Sequence, residues 1–333
     1  MTAETERRLF DPRDAFDHPV TAGVVVAIAA VLVLATVLTV VLRRTGKIGD
    51  KLHRELIDRI RSWAIMAPVI IGPILLGAAW VIGALLVLTI LCYREFARAT
   101  GLFRERLVSV VVAAGIIALA FATFDNWYGL FTTVPPLTVG LIAATSILKD
   151  QPSGYLQRVA LGAFAFLVIG GGLLHLAYFA NDRDFRPILA WLLVTVQMND
   201  VFAFISGKTF GRRKLAPNTS PNKTLGGALG ALALTTTLVA VLGHFVFRGS
   251  PLDDPVHLIV LGLIVSVGGQ LGDLMLSSVK RDVGIKDMAA TIPGHGGFLD
   301  RANSLLLASP AVFHYVRYLR GIAEGQEARI ITG

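Results

Sequence analysis

Asp273, Ser277 and Lys280 recur at i, i+4 and i+7, so a helix carrying them presents a carboxylate, a hydroxyl and an ammonium along one face, with Arg281 adjacent. Such a face can hold a divalent cation on its carboxylate, and its own cations can hold the phosphates that the metal bridges. A ladder of hydrogen bonds between helices is the structural alternative. The face opens a polar stretch from Ser277 to Asn303, lying between two apolar runs and containing Lys280, Arg281, Lys286, Asp287, His295, Gly296, Gly297, Asp300 and Arg301. Charge beside hydrocarbon is expensive and marks function. Glycines let main-chain N–H groups approach a phosphate, although a plain turn is the commoner use of His-Gly-Gly. Asp300 and Asn303, three residues apart at the head of the last apolar run, can cap a helix. Capping leaves the upstream Lys-Arg and Lys-Asp pairs without a role.

A second group lies upstream. Asn199 and Asp200 sit inside an apolar run, where an ionised Asp costs roughly 2.5 to 3.5 kcal/mol and must face a polar interior. Either an interhelical hydrogen bond or a nucleotide or metal site accounts for them. The following loop, 207–224, carries Lys208, Arg212, Arg213, Lys214, Ser220 and Lys223 among glycines and prolines. It reads as a phosphate-binding loop or as ordinary membrane-flanking basic charge.

The elements that must position these residues are membrane spans. Of 333 residues, 54% are hydrophobic and 16% charged, against about 25% charged in a soluble domain. The net charge of +8 gathers in short loops between apolar runs, as the positive-inside rule expects, so it implies anionic headgroups and no nucleic acid. The single cysteine, Cys92, excludes an internal disulfide and a cysteine metal cluster. Apolar runs near 20–42, 63–79, 80–93, 108–124, 129–148, 159–180, 187–206, 227–247, 257–279 and 303–319 predict an all-α, polytopic protein with about ten transmembrane helices. The stretch 65–93 reads as one tilted helix or as a hairpin broken near Gly77. The loops on either side, 43–62 and 94–107, are both basic, which selects the hairpin. Loops 149–158, 207–226 and 280–302 then share the cytoplasmic side, the N-terminus lies outside, and the protein is a multi-pass cell-membrane protein. Loops 125–128, 181–186 and 248–256 face the opposite side, with Arg183 and Arg186 fitting it less well.

Together these residues resemble the CDP-diacylglycerol synthase, or phosphatidate cytidylyltransferase, family. Ser277 to Arg301 matches its C-terminal signature: Ser-x-apolar-Lys-Arg, then Lys-Asp, then Pro-x-His-Gly-Gly-apolar-x-Asp-Arg. Asn199-Asp200, Gly207, Phe210-Gly211, Lys214-Leu215, Pro217, Ser220-Pro221 and Lys223-Thr224 resemble a second motif. The similarity covers about 60–319, giving an organisation of 1–60 as tail, added anchor and basic loop, 61–320 as the membrane-embedded transferase domain and 321–333 as a polar tail. The resemblance implies that CTP and phosphatidate give CDP-diacylglycerol and pyrophosphate, with Mg²⁺ alone or beside a second cation, and a homodimer. It implies Asp273, Asp300 and Asn303 at the metal, and Lys280, Arg281 and Lys286 on phosphates. Asn199, Asp200, Ser220, Lys223, Ser277, Asp287, His295, Gly296, Gly297 and Arg301 complete the nucleotide and phosphate side.

This chain departs from the pattern at two acids. Asn303 stands where the family signature ends in Asp, and Leu225-Gly226-Gly227 replaces aromatic-Glu-Gly. Transfer to another lipid phosphate, or a weakly active regulatory relative, is therefore the alternative to phosphatidate. A transporter coupled through Asp200 and Asp273 belongs to a different class, and it is opposed by the concentration of charge at one face and the lack of an inverted repeat.

Overall fold

Apolar runs of about 20 residues can satisfy their backbone in hydrocarbon only as helices, and helices make up most of the computed structural model, which describes residues 2–292, 294, 296–321 and 329–333. In chain order they are α1 (Ala3–Phe10), α2 (Pro19–Arg44), α3 (Asp50–Leu76), α4 (Ala78–Thr100), α5 (Arg106–Phe124) and α6 (Tyr128–Ile147). Next come α7 (Tyr155–Phe164) and α8 (Gly172–Tyr178), joined through a π-helical stretch, Ala165–Gly171, and then α9 (Phe185–Phe210). A strand pair, β1 (Lys214–Ala216) and β2 (Ser220–Thr224), precedes α10 (Leu225–Val246), α11 (Pro255–Asp282), α12 (Phe298–Ala302) and α13 (Leu305–Arg320). The starts are written locally. Pro19 follows the cap His18, Pro255 follows the cap Asp254, and Thr224 Oγ1 accepts from Gly227 N at 3.1 Å.

Among the described residues, nine helical stretches are long and apolar enough to cross a membrane, so the protein is a polytopic membrane protein. The expected tenth, over 303–319, is shortened. The polar turn at Asn303 separates α12 from α13, and the 16 residues of α13 reach only about 24 Å, short of a hydrocarbon core of about 30 Å. Two further expectations are corrected. Most of the basic loop 43–62 is the first part of α3, where Lys51 to Arg61 favour helix, and loop 207–226 contains an antiparallel hairpin pairing Lys214 with Thr224 and Ala216 with Ser220.

The run 65–93 does break at Gly77, whose φ of 137° only glycine adopts readily. The two arms lie side by side, with Trp63 to Ile74 of α3 and Val81 to Leu88 of α4 lining one groove. Leu9 of α1 seats on this break; a Cβ at residue 77 would fall 2.4 Å from the Leu9 carbonyl oxygen.

Polar bonds sort the loops into two ends. At one, Lys149 pairs with Glu105 at 2.6 Å, Arg281 Nε donates to Thr219 O, and Glu95 accepts from the backbone of Phe298 and Leu299. At the other, Arg8 donates to Ala180 O and Asn181 Oδ1, Asn181 Nδ2 donates to Thr123 O, and Arg320 pairs with Asp182 and Asp184. Between them the core is packed by rings, with Phe131 of α6 meeting Tyr178 of α8 at 4.8 Å and Tyr178 meeting Phe313 of α13 at 5.4 Å.

Candidate active site

Four elements converge at the first of these ends. Mid-α9 supplies Asn199 and Asp200, the last turns of α11 supply Asp273, Ser277 and Lys280, β2 supplies Lys223, and the break between α12 and α13 supplies Asn303 and Ser304. Lys223 Nζ lies 2.5 Å from Asp273 Oδ2, while Asn303 Nδ2 donates to Asp273 Oδ1. Ser304 Oγ donates to Asp200 Oδ2 at 3.2 Å, and its N–H donates to Asn303 Oδ1 at 2.8 Å. Asp200 feels the like charge of Asp273 and the cations of Lys223 and Arg301.

Asn199 is the hub beneath this cluster. Fully buried, its Oδ1 accepts from Thr235 of α10 at 3.0 Å and from Ser266 of α11 at 2.7 Å, and Ser266 Oγ also accepts from Gln270. Three helices are thereby fixed in register around the neighbouring Asp200. Its Nδ2 is buried without a hydrogen-bond partner.

A second cluster shapes the signature loop. Lys280 Nζ donates to Asp300 Oδ1 at 2.8 Å, and Asp300 Oδ2 accepts from Met288 N at 2.8 Å and Gly297 N at 3.0 Å. Glu95, buried on α4, accepts from Thr291 Oγ1 at 2.6 Å, Phe298 N at 3.1 Å and Leu299 N at 2.9 Å. A carboxylate at the start of α12 satisfies N–H groups that no helical carbonyl can reach. The loop is thus held from below by Asp300 and from the side by Glu95.

Of the residues expected at a metal, Asp273 and Asn303 come together with Asp200, whereas Asp300 stands apart on its own donors. Ser277 is buried one turn beyond Asp273. Arg281 bridges to the hairpin through Thr219 O and also donates to Ile285 O at 3.0 Å. Lys286 and Asp287 are exposed on the loop, Ser220 is half-buried at the start of β2, Gly296 pairs with Ile292, and Arg301 is exposed at the end of the α3–α4 groove. His295 lies outside the described residues.

Glu95 and Ser304 are additions. Glu95 sits between Arg94 and Arg98, where it reads as one charge in a basic loop, and its contacts lie some 200 residues away in sequence. Ser304 carries no signal beyond adjacency to Asn303. The missing acid at residue 226 has a packing reason: a Cβ there would lie 2.7 Å from Phe210 O and 3.2 Å from Gly211 Cα. The close approach of α10 to the end of α9 leaves no room for a side chain.

The donor set suits a hard divalent cation. Asp200, Asp273, Ser304 Oγ and, after a half-turn of its carboxamide, Asn303 all offer oxygen. Among the described residues no three His, Cys, Asp or Glu side chains group together, so a cation would rest on two carboxylates plus substrate phosphates, as Mg²⁺ commonly does.

Comparison with known proteins places the chain in a family. Residues 57–319 match the cytidylyltransferase family. Over 296 residues the chain is 28% identical to the uncharacterized protein YnbB of Escherichia coli, covering 87% of this chain and 96% of that one. It is 35% identical over 188 residues to the phosphatidate cytidylyltransferase of Helicobacter pylori, covering 55% of this chain and 66% of that one. To the enzyme of that name from Rickettsia typhi it is 29% identical over 217 residues, 64% of this chain and 92% of that one.

Proposed function

This chain belongs to the cytidylyltransferase family, and from that premise we propose that it transfers the cytidylyl group of CTP to phosphatidate at the cytoplasmic face of the membrane, giving CDP-diacylglycerol and pyrophosphate. The observation that carries this reading is the meeting of Asp200, Asp273, Lys223 and Asn303 from four separate elements, beside an apolar groove.

In the reaction a phosphate oxygen of the lipid forms a bond to the α-phosphorus of CTP while the bond from that phosphorus to the bridging oxygen breaks, and pyrophosphate leaves with the electron pair. The attacking oxygen is already anionic, so no strong general base is required. Catalysis consists of positioning two anions against one another and offsetting their charge. Mg²⁺, when bound by Asp200 and Asp273, supplies charge neutralisation for the triphosphate.

The chain's own residues perform the rest. Lys223, drawn to Asp273 in the free protein, is a cation that can turn from a carboxylate to a phosphate as CTP enters. Asn199 holds α9, α10 and α11 so that Asp200 and Asp273 keep their spacing. Asp300 keeps Lys280 extended toward the loop and fixes Gly297 N and Met288 N, so that the loop backbone meets the nucleotide preformed. Arg281 locks the β1–β2 hairpin against α11 and thereby sets where Lys223 stands.

The test is incorporation of labelled cytidine from CTP into organic-soluble lipid by purified protein with phosphatidate and Mg²⁺, beside Asp273→Ala. Signal that disappears in the variant supports the reading; a wild type that labels no lipid overturns it. A second reading, transfer to another lipid phosphate, is favoured by Asn303 and Gly226 in place of two acids. Polyprenyl phosphate in place of phosphatidate separates the two.

A further inference from the structure

A cavity of about 360 Å³ opens at the end of the bundle away from the carboxylate cluster, between α1, the turn leading into α2 and the start of α9. Thr21, in the first turn of the spanning α2, and Phe185 to Pro187, in the first turn of the spanning α9, stand in its wall. The cavity is therefore level with the boundary at which spans leave hydrocarbon, the depth of lipid headgroups.

Four arginines and four acids line it, but three of the acids are already taken. Glu4 pairs with Arg183 at 3.4 Å, Asp14 with Arg7 at 2.7 Å, and Asp184 with Arg320 of α13 at 2.6 Å. The two remaining guanidiniums rest on neutral acceptors. Arg8 donates through Nη1 to Ala180 O at 2.8 Å and Asn181 Oδ1 at 3.0 Å, and Arg186 donates to Ile74 O at 3.2 Å and Asp11 O at 2.5 Å. Among the described residues neither has a carboxylate within ion-pair distance, and Asp17 is the one acid of the wall left against them. The wall thus keeps an excess of positive charge.

It also holds two orphaned polar atoms. Arg8 is about nine-tenths buried and Thr21 almost wholly so, yet Arg8 Nε and Thr21 Oγ1 have no hydrogen-bond partner. Buried polar groups are as a rule satisfied, so two orphans in one wall point to a ligand. Water can answer an N–H and a hydroxyl but leaves the charge; an oxyanion answers both. The planar fork of an arginine matches the oxygens of a phosphate.

We propose that this cavity binds the phosphate group of a lipid headgroup, with Arg8, Arg186 and Thr21 as its donors. Its depth at the start of two spans favours a phosphate carried on a lipid over free phosphate, as in other basic pockets between spans. Phe10 and Phe16, exposed rings on the adjoining segment, add apolar surface beside the acyl chains. The bound headgroup ties α1 and α2 to α9. Arg8 and Thr21 lie outside the family-matched region 57–319, so the site belongs to the N-terminal segment and does not depend on the reaction proposed above.

The experiment uses full-length protein in vesicles of galactosyl diacylglycerol, which carries no phosphate, with a trace of phosphatidylglycerol bearing a photoreactive group on its headgroup. Label is expected on peptides covering 3–21 and 183–187. Unlabelled phosphatidylglycerol should displace it, and added galactolipid or inorganic phosphate should not. Arg186→Gln should lower this label about tenfold, and Arg186→Lys should keep part of it. Thr21→Val should lower it about fivefold with no loss of melting temperature, because nothing in the fold bonds the hydroxyl; this variant decides the matter if Arg186→Gln melts early. Asp273→Ala should leave the label unchanged, which separates the cavity from the catalytic end. Displacement by inorganic phosphate overturns the lipid source. Label absent from these peptides, or undiminished in Thr21→Val, overturns the site itself.

Discussion

The two ends of the bundle carry similar residues and use them differently. At the end formed around Asn181 to Asp184, acids meet backbone donors and a shared guanidinium. Asp125, fully buried, accepts from the backbone N–H groups of Ile330, Ile331 and Thr332 and from Thr332 Oγ1, and Arg320 spans Asp182 and Asp184. Arg8 is buried against backbone carbonyls, and burial brings its guanidinium down to about 10 despite the attraction of Asp182. At the other end, about 24 Å away along the 16 residues from Asp184 to Asp200, the partners of Asp273 are an ammonium and an amide on flexible side chains. Backbone donors, on Asp125 at the Asn181 end and on Asp300 and Glu95 beside the site, make a joint; the exchangeable side-chain donors on Asp273 make a place into which a substrate can substitute. Charge at a membrane boundary becomes informative only when the nature of its partners is known.

Substitutions can break this contrast. Asp273→Ala should lower cytidylyl transfer by about a thousandfold with little change in melting temperature, measured by lipid labelling and thermal unfolding on the same preparation. A comparable fall in stability would mean that the carboxylate at this end also serves as a joint. Glu95→Gln comes next: it keeps the shape but weakens the acceptor for Phe298 N and Leu299 N, so kcat should fall about ten- to a hundredfold, with KM for CTP moving less.

Asp125→Asn should leave activity per folded molecule unchanged and cost about 2 kcal/mol of stability, because hydrogen bonds to an ionised group are lost. Its pH dependence sharpens the point. Burial opposes ionisation of Asp125, but the Thr332 hydroxyl and three backbone donors outweigh it and hold the carboxyl below its usual value. A carboxyl depressed on folding contributes stability that is full above its unfolded value and is lost as pH falls through the folded one. Protection of Ile330 and Ile331 from hydrogen exchange, measured relative to the intrinsic rate at each pH, should therefore fall below about pH 4 in the wild type and show no such step in Asp125→Asn.

The smallest effect concerns the metal. Asn303→Asp adds a third charge beside Asp200 and Asp273, so the Mg²⁺ concentration for half-maximal activity should drop about tenfold, while melting without Mg²⁺ should come earlier through repulsion. An unchanged Mg²⁺ dependence would place the cation away from Asn303.

Much of this was legible where chemistry is local. The spacing of Asp273, Ser277 and Lys280 puts them on the helix face that meets Asn303, and loop charge alone argued for the break that Gly77 makes. What escaped depends on contacts distant in sequence. Glu95 bonds to a loop 200 residues onward, and Lys223 reaches Asp273 only because the hairpin folds back against α11. The length of the tenth run was misjudged for a different reason. Hydropathy registers composition, while the polar turn at Asn303 that shortens α13 is one or two residues in a run that averages as apolar. Gly226, read as a lost acid, is a place where two backbones touch.

The seat of α1 on Gly77 also bears on biogenesis. Arg8 bonds to Ala180 and Asn181, 172 and 173 residues later in the chain, so α1 cannot take its final place until the segment after α8 has been made. Through most of synthesis the hairpin beside it stands without this contact at its break. Assembly is closed by a segment made early, and removal of α1 would be felt as a failure of a late step in folding.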